Sequence, residues 1–312
     1  MSRIHEALKK AAQDRAAQTP TAVTADLVDG AAEINRHIEP PVEVLRTENM
    51  RVAMPDPRFK ESRLLSYEEL VKRCTRPQWT LDARNSVFVG ADNDRVGAER
   101  FRTLRSRLYQ IAGAQQLKKL LITSSIPAEG KTFVAANLAQ SIVRQPDRRV
   151  LLIDADLRAS RLHQTLGAPG GPGLSDYLSG DVDEFAVIQN GLEGNLCFIP
   201  GGRQVTNPSE LLLRDRMKHL LDTMSDVFDW IIIDSPPALP VHDASMLADQ
   251  CDGVLFVVRA GTTDSEIAQR VSAEFRDKNL LGVVLNRVDS ADTYNNYYYG
   301  YGGDPEGVAP RN

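Results

Sequence analysis

The sequence predicts an α/β fold, a mostly parallel sheet covered by helices on both faces, and three observations carry that prediction. Short apolar runs at Leu120–Ile122, Val150–Ile153 and Trp230–Ile233, and again over 253–258 and 281–286, read as buried strands separated by helical stretches. Two of the runs end in carboxylates, Asp154 with Asp156 and then Asp234. The first run is followed by a loop ending in Gly130-Lys131-Thr132, and then by Val134, Leu138 and Ile142 at helical spacing. Strand, loop and helix in that order form the setting of a phosphate-binding P-loop.

The residue types in that loop suit an anion. Backbone amides of the loop (Ser125, Pro127, Ala128, Glu129, Gly130, Lys131, Thr132, Phe133) lead into a helix N-terminus, where the dipole favours negative charge; Pro127 alone has no N–H to offer. Gly130 allows close approach of the backbone to phosphate oxygens, and Lys131 brings a positive charge for the β- and γ-phosphates. Lys131 is expected in a solvated loop, acting through charge rather than packing. The Thr132 hydroxyl is a hard ligand for Mg²⁺. The generic pattern has glycine where this chain has Ser125. Carboxylates at strand C-termini lie at the sheet edge where α/β ligands bind, and Mg²⁺–nucleotide chemistry uses such oxygens directly or through water.

These three segments resemble the Walker A, Walker A′ and Walker B motifs of the bacterial tyrosine autokinases of exopolysaccharide biosynthesis. The hydrophobic-Asp-x-Asp-x-Arg form falls at Asp154, Asp156 and Arg158, and the hydrophobic-Asp-x-Pro form at Asp234 and Pro236. The resemblance covers about residues 86–301 and is shared in part with the MinD/ParA-like partitioning and septum-site ATPases, which have a deviant Walker A. It implies ATP and Mg²⁺. It gives Lys131 and the loop amides the phosphates, Thr132 and Asp156 the metal, Asp234 the metal through water, and Asp154 the part of base for an incoming phenol. Arg158 falls in the same nucleotide site. Asn286, at the end of the last strand, either contacts the nucleotide base or caps a loop.

Taken in order, residues 1–15 read as a short amphipathic helix, and 16–62 as a proline-punctuated linker. A further helix over 66–74 ends before Pro77, and the predicted domain limits are 1–85, 86–290 and 291–312. A helix over 95–113 carries an apolar stripe of Phe101, Leu104, Leu108 and Ile111. Its Glu99, Arg102 and Arg105 lie on another face; this reads as a solvated charged face, or, through the family's Glu-x-x-Arg-x-x-Arg motif, as an oligomer interface. After a glycine-rich stretch come a short helix from Gly173, a strand over 195–200, and one helix beginning at Asn207-Pro208 and reaching Met224. His163 has no companions of metal-ligand type, and Cys74, Cys197 and Cys251 have no metal spacing. With a net charge of −5, no general nucleic-acid affinity is implied. Apolar runs are strand-sized and no signal peptide is visible, so a cytoplasmic protein is expected, recruited to the inner membrane face through a partner.

Tyr294, Tyr297, Tyr298, Tyr299 and Tyr301 lie within eight residues, separated by Asn and Gly, and glycines and prolines follow. Such a tract cannot build a core, and it is expected to be disordered. It resembles the family's C-terminal cluster of phosphoacceptors. The function implied is ATP-dependent tyrosine autophosphorylation in trans within a ring-like homo-oligomer, regulating exopolysaccharide synthesis and export. A transmembrane polysaccharide co-polymerase adaptor and a cognate tyrosine phosphatase are the implied partners. The alternative is a MinD/ParA-like ATPase switch that positions a partner complex. Against it, the loop Ser125–Glu129 lacks the extra lysine of those switches, and the chain ends in tyrosines rather than a basic anchor.

Overall fold

The computed structural model describes residues 65–89, 95–191 and 195–288. The expected N-terminal helix, the linker and the tyrosine tract all lie outside them. Within the described residues a seven-stranded sheet runs β3-β4-β2-β5-β1-β6-β7. Its strands are β1 (Lys119–Ser124), β2 (Val150–Asp154), β3 (Gln189–Asn190), β4 (Leu196–Ile199), β5 (Trp230–Asp234), β6 (Gly253–Arg259) and β7 (Leu280–Asn286). All neighbours pair in parallel except the two-residue β3, which is antiparallel to β4 at one edge. The central strands are apolar without alternation because both faces of the sheet are covered.

One face is covered by α2 (Arg95–Ala114) and α3 (Lys131–Val143). Leu108 of α2 and Val134, Leu138 and Ile142 of α3 close on Leu120, Ile122, Leu152 and Ile232. The predicted stripe of α2 does this, with Phe101, Leu104 and Ile111 half-buried at its margin. Helices α7 (Pro208–Leu212), α8 (Asp215–Ser225), α9 (Asp243–Ala248) and α10 (Ser265–Ala273) cover the other face. There Leu212, Leu220, Leu247 and Val271 pack on Leu121, Ile153, Ile231 and Phe256. The single helix expected from Asn207 to Met224 is two helices. Arg214 is extended (ψ 149°) and caps α8, while Leu213 beside it is left 56% exposed.

The sequence boundary at residue 85 falls inside the packed unit. Ser66 closes a capping box with Glu69 at the start of α1 (Tyr67–Arg73). Leu70 is fully buried, and the Tyr67 ring meets Phe228 edge-on at 5.7 Å. Thr75 then bridges to Gln189 and so extends the sheet edge. Further on, the Val87 amide donates to the Asn137 side chain, and Ser86 to Gln140, both on α3. The stretch from Tyr67 thus packs with the domain, because apolar residues spaced at 67, 70 and 74 find the core. The three cysteines are free, and burial raises the Cys197 thiol to about 11 and the Cys74 thiol to about 12, as inert core thiols require.

The remaining short helices, α4 (Leu162–Leu166), α5 (Leu174–Ser179) and α6 (Glu184–Val187), fill the connection from β2 to β3. Gly173, before α5, lies against backbone of Pro200 and Gly202, so a Cβ there has nowhere to go; at Gly113 in α2 nothing lies within 4 Å. Gly173→Ala should lower the melting temperature by several degrees. Gly113→Ala should raise it slightly, by about 0.5–1 kcal/mol in stability. Differential scanning calorimetry on the two variants checks both signs.

Candidate active site

The register of the sheet assembles the site. Asp154 and Asp234 are paired neighbours at the C-terminal ends of β2 and β5, and Asp234 also pairs with Ile122 of β1, the strand that feeds the P-loop. That loop turns through two left-handed residues, Ala128 (φ 66°) and Gly130 (φ 97°), before α3 begins at Lys131. Backbone of this kind, ending at a helix N-terminus, makes an anion-binding concavity.

Lys131 is not in a solvated loop, as expected from sequence. It is the first residue of α3, its side chain is only 12% exposed, and its ammonium donates to Asp156 Oδ2 at 2.9 Å and lies 3.8 Å from Asp234 Oδ1. The Thr132 hydroxyl donates to Asp234 Oδ2 at 2.7 Å. Burial alone would lower the Lys131 pKa, but Asp234 and Asp156 outweigh it and hold the group protonated. Burial pushes the carboxyls up, Asp154 to about 6 and Asp234 to about 7, against the pull of Ser160 on the first and of Lys131 on the second.

Asp154 is fully buried and engaged by its own loop. Its Oδ2 accepts from Ser160 Oγ at 2.7 Å and the Leu162 amide at 3.0 Å, and its Oδ1 from the Asp156 amide at 3.2 Å. Arg158 lies on the same loop, two residues past Asp156. It is bound bidentately to Asp243 at the start of α9 (2.8 and 3.2 Å) and to Ser209 Oγ at 2.9 Å. Asn286 Nδ2 donates to the Glu129 carbonyl at 2.9 Å. Ser125 is fully buried, with a hydroxyl that makes no hydrogen bond, and Pro127 and Ala128 are exposed. Phe133 packs on Phe101 at 6.0 Å and, with Gly130 and Asn286, lines a groove of about 1050 Å³ that runs on to Arg100 and Leu104 of α2.

The oxygens of Thr132, Asp156 and Asp234 suit a hard cation. Among the described residues no three His, Cys, Asp or Glu side chains form a ready cage, and an ion held by two carboxylates and a hydroxyl keeps waters, as Mg²⁺ does. Asp234 Oδ1, buried and without a hydrogen bond, is the group such an ion would satisfy.

Away from this cluster, Glu99 and Arg102 form an exposed pair at 2.8 Å. Arg105 does not share that face: it is half-buried and donates to the Ser141 carbonyl of α3 at 2.5 Å. Asp243, Ser160 and Ser209, which hold Arg158 and Asp154, are not legible in the sequence. For Asp243 the only signal is an acid in the first turn of a short helix, which an ordinary cap explains equally well.

A family model for the CobQ/CobB/MinD/ParA nucleotide binding domain matches residues 120–301. The chain belongs to that family. Two similar proteins are the tyrosine-protein kinase Etk of Escherichia coli, 38% identical over 66% of this chain and 28% of its own, and the tyrosine-protein kinase Wzc of Salmonella typhimurium, 35% identical over 69% and 30%. The chain thus spans less than a third of these relatives' length. The solved kinase domain of Escherichia coli Etk superposes with a TM-score of 0.60 at 34% identity, over 65% of this chain and 82% of that domain. Within the family the chain therefore sits with the bacterial tyrosine kinases.

The raised Asp234 pKa has a consequence for stability. A group whose folded pKa lies above its unfolded value contributes least at high pH, since its stabilisation is lost as pH rises through the folded value near 7. Asp234→Asn, which mimics the neutral acid, should raise the melting temperature of the ligand-free chain by a few degrees at pH 8 and by less at pH 5. Thermal scans at the two pH values check the order.

Proposed function

We propose that the chain is an ATP-dependent protein tyrosine kinase that phosphorylates the tyrosines of its own tail. The observation that supports this most is the placement of Lys131 and Thr132, at the first turn of a P-loop helix, against the buried carboxylates of both β2 and β5. Membership of a nucleotide-binding family and kinship with tyrosine kinases narrow the chemistry to phosphoryl transfer.

In this reading the P-loop amides and Lys131 hold the β- and γ-phosphates, and Lys131 leaves Asp156 to do so. Thr132, Asp156 and Asp234 would hold Mg²⁺, which when bound offsets phosphate charge. The groove beside Gly130, Phe133 and Asn286 has room for the base and ribose. A tyrosine oxygen then bonds to the γ-phosphorus, the bond to the bridging oxygen breaks, and ADP leaves with that electron pair. The phenol proton passes to Asp154. A carboxyl raised to about 6 is a better acceptor at neutral pH than an ordinary one, since a phenol has a pKa of about 10. For that, the incoming phenol displaces the Ser160 hydroxyl from Asp154 Oδ2. Arg158, held by Asp243, shapes the rim of this loop rather than the phosphate site.

The proposal extends to assembly. Tyr294, Tyr297, Tyr298, Tyr299 and Tyr301 are the acceptors, donated in trans within a ring whose contacts use the exposed Glu99–Arg102 pair; Arg105 supports that helix from within. Among the described residues no helix is long and apolar enough to cross a membrane, and a transmembrane adaptor of the polysaccharide co-polymerase kind would bring the kinase to the cytoplasmic membrane face. A tyrosine phosphatase would reset the tail, and the cycle would regulate exopolysaccharide assembly.

The test is incubation of the full chain with ATP and Mg²⁺, followed by mass spectrometry. Phosphate should appear on the 294–301 cluster, fall at least tenfold in Lys131→Met, and fall more than ATP binding does in Asp154→Asn. Unchanged phosphotyrosine in Lys131→Met would end the kinase reading, and equal loss of binding and transfer in Asp154→Asn would remove the base role.

A further inference from the structure

A phosphate-binding loop is an odd place for a buried acid, yet Glu129 sits between the two left-handed residues of this one and is 1% exposed. Its Oε2 accepts from the Ile126 amide at 2.8 Å, across the loop. Its Oε1 accepts from Thr263 Oγ1 at 2.6 Å and from the Arg259 amide at 3.4 Å, both beyond the loop, at the end of β6 and in the turn into α10. Its carbonyl takes the Asn286 amide at the end of β7. The two outer strands are tied to each other at the same level, since the Ala260 amide donates to the Asn286 carbonyl at 2.8 Å, and the turn after β6 is closed by the Thr263 amide, which donates to the Arg259 carbonyl at 3.2 Å.

We infer that Glu129 and Thr263 form a strut that sets the shape of the P-loop, and that Thr263 is a positioning residue for the nucleotide phosphates. Ala128 is a residue with a side chain held at φ 66°, a conformation that costs roughly 1 kcal/mol or more and relaxes unless its neighbours fix it. The neighbour that fixes it is Glu129, anchored on both carboxylate oxygens and on its carbonyl. Gly130, at φ 97°, is a place for glycine, because a Cβ there would run into the Asn286 side-chain amide. With the outer strands holding it, the loop keeps its concave form before any ligand arrives, and ordering is not charged to binding. A carboxylate in this position repels phosphate, and its three donors occupy both oxygens, Oε2 within the loop and Oε1 at the end of β6 and the turn after it.

The inference rests on nucleotide binding and not on tyrosine transfer, so affinity is the quantity to measure. Thr263→Val keeps the shape and removes the hydroxyl, leaving Glu129 Oε1 short of its closest donor. ATP with Mg²⁺, titrated calorimetrically into the full chain, should bind Thr263→Val roughly tenfold more weakly, the scale expected when a buried acceptor loses a donor. Thr263→Ser should restore binding to within about twofold. Amide exchange over 126–130 should quicken in the valine variant and not in the serine variant. Glu129→Gln should weaken binding too, and adding Thr263→Val to it should cost less than the valine change costs alone, because both act on one contact. Wild-type affinity in Thr263→Val, or equal weakening in valine and serine, would overturn the strut. A wild-type chain that takes up no ATP would overturn the nucleotide site on which it stands.

Discussion

One ammonium group makes the centre of this domain tolerable. Asp154, Asp156 and Asp234 are all buried at the C-terminal edge of the sheet, and each is there because a strand ends where a ligand must bind. Removing carboxylates from water costs several kcal/mol apiece unless they are paired or protonated. Both remedies are present. Lys131 stands between Asp156 and Asp234, and burial pushes Asp154 and Asp234 up to about 6 and 7, so that part of the charge is removed by protons near neutrality. In the ligand-free chain the lysine is thus a structural cation as well as a phosphate ligand in waiting.

The rest of the architecture serves to hold that group in place. The parallel register of β2, β5 and β1 brings both strand-end acids beside the start of α3. The outer strands β6 and β7 add no acid of their own but fasten the P-loop through Glu129 and Asn286. On the other side, Ser160 and Leu162 fold the loop after β2 back on Asp154, and Asp243 fixes Arg158. The site is therefore built on two loops, the P-loop and the loop after β2, each anchored by residues outside it. This is the preorganisation that phosphoryl transfer requires, where positioning and charge account for most of the catalysis.

What could be read from sequence divides along physical lines. Strands and the P-loop were legible because apolar runs ending in Asp, and Gly-Lys-Thr before a helical stripe, are local patterns. α1 was visible as a helix, but its place in the core was not, since only packing with Phe228 and the sheet tells Tyr67 and Leu70 from linker residues. The break at Arg214 was missed because the apolar spacing continues across it while the backbone does not. Lys131 reads as a solvated charge in the sequence because sequence gives no burial. Arg158 is bound by Asp243, Glu129 by Thr263 and Asn286 by Glu129 across 85, 134 and 157 residues of sequence, and no spacing rule reaches these pairs. Arg105 carries the same lesson: the motif spacing does not tell that it donates to the Ser141 carbonyl one helix away.

The central claim is that Lys131 stabilises the ligand-free fold by compensating ionised carboxylates, and thermal unfolding of Lys131→Met against pH, without nucleotide, tests it directly. The account predicts a melting temperature well below wild type at pH 8, with the gap closing as pH falls below about 6 and the acids take up protons. A Lys131→Met chain that melts with the wild type at every pH would contradict it, and would return this lysine to the solvated loop where the sequence alone had put it.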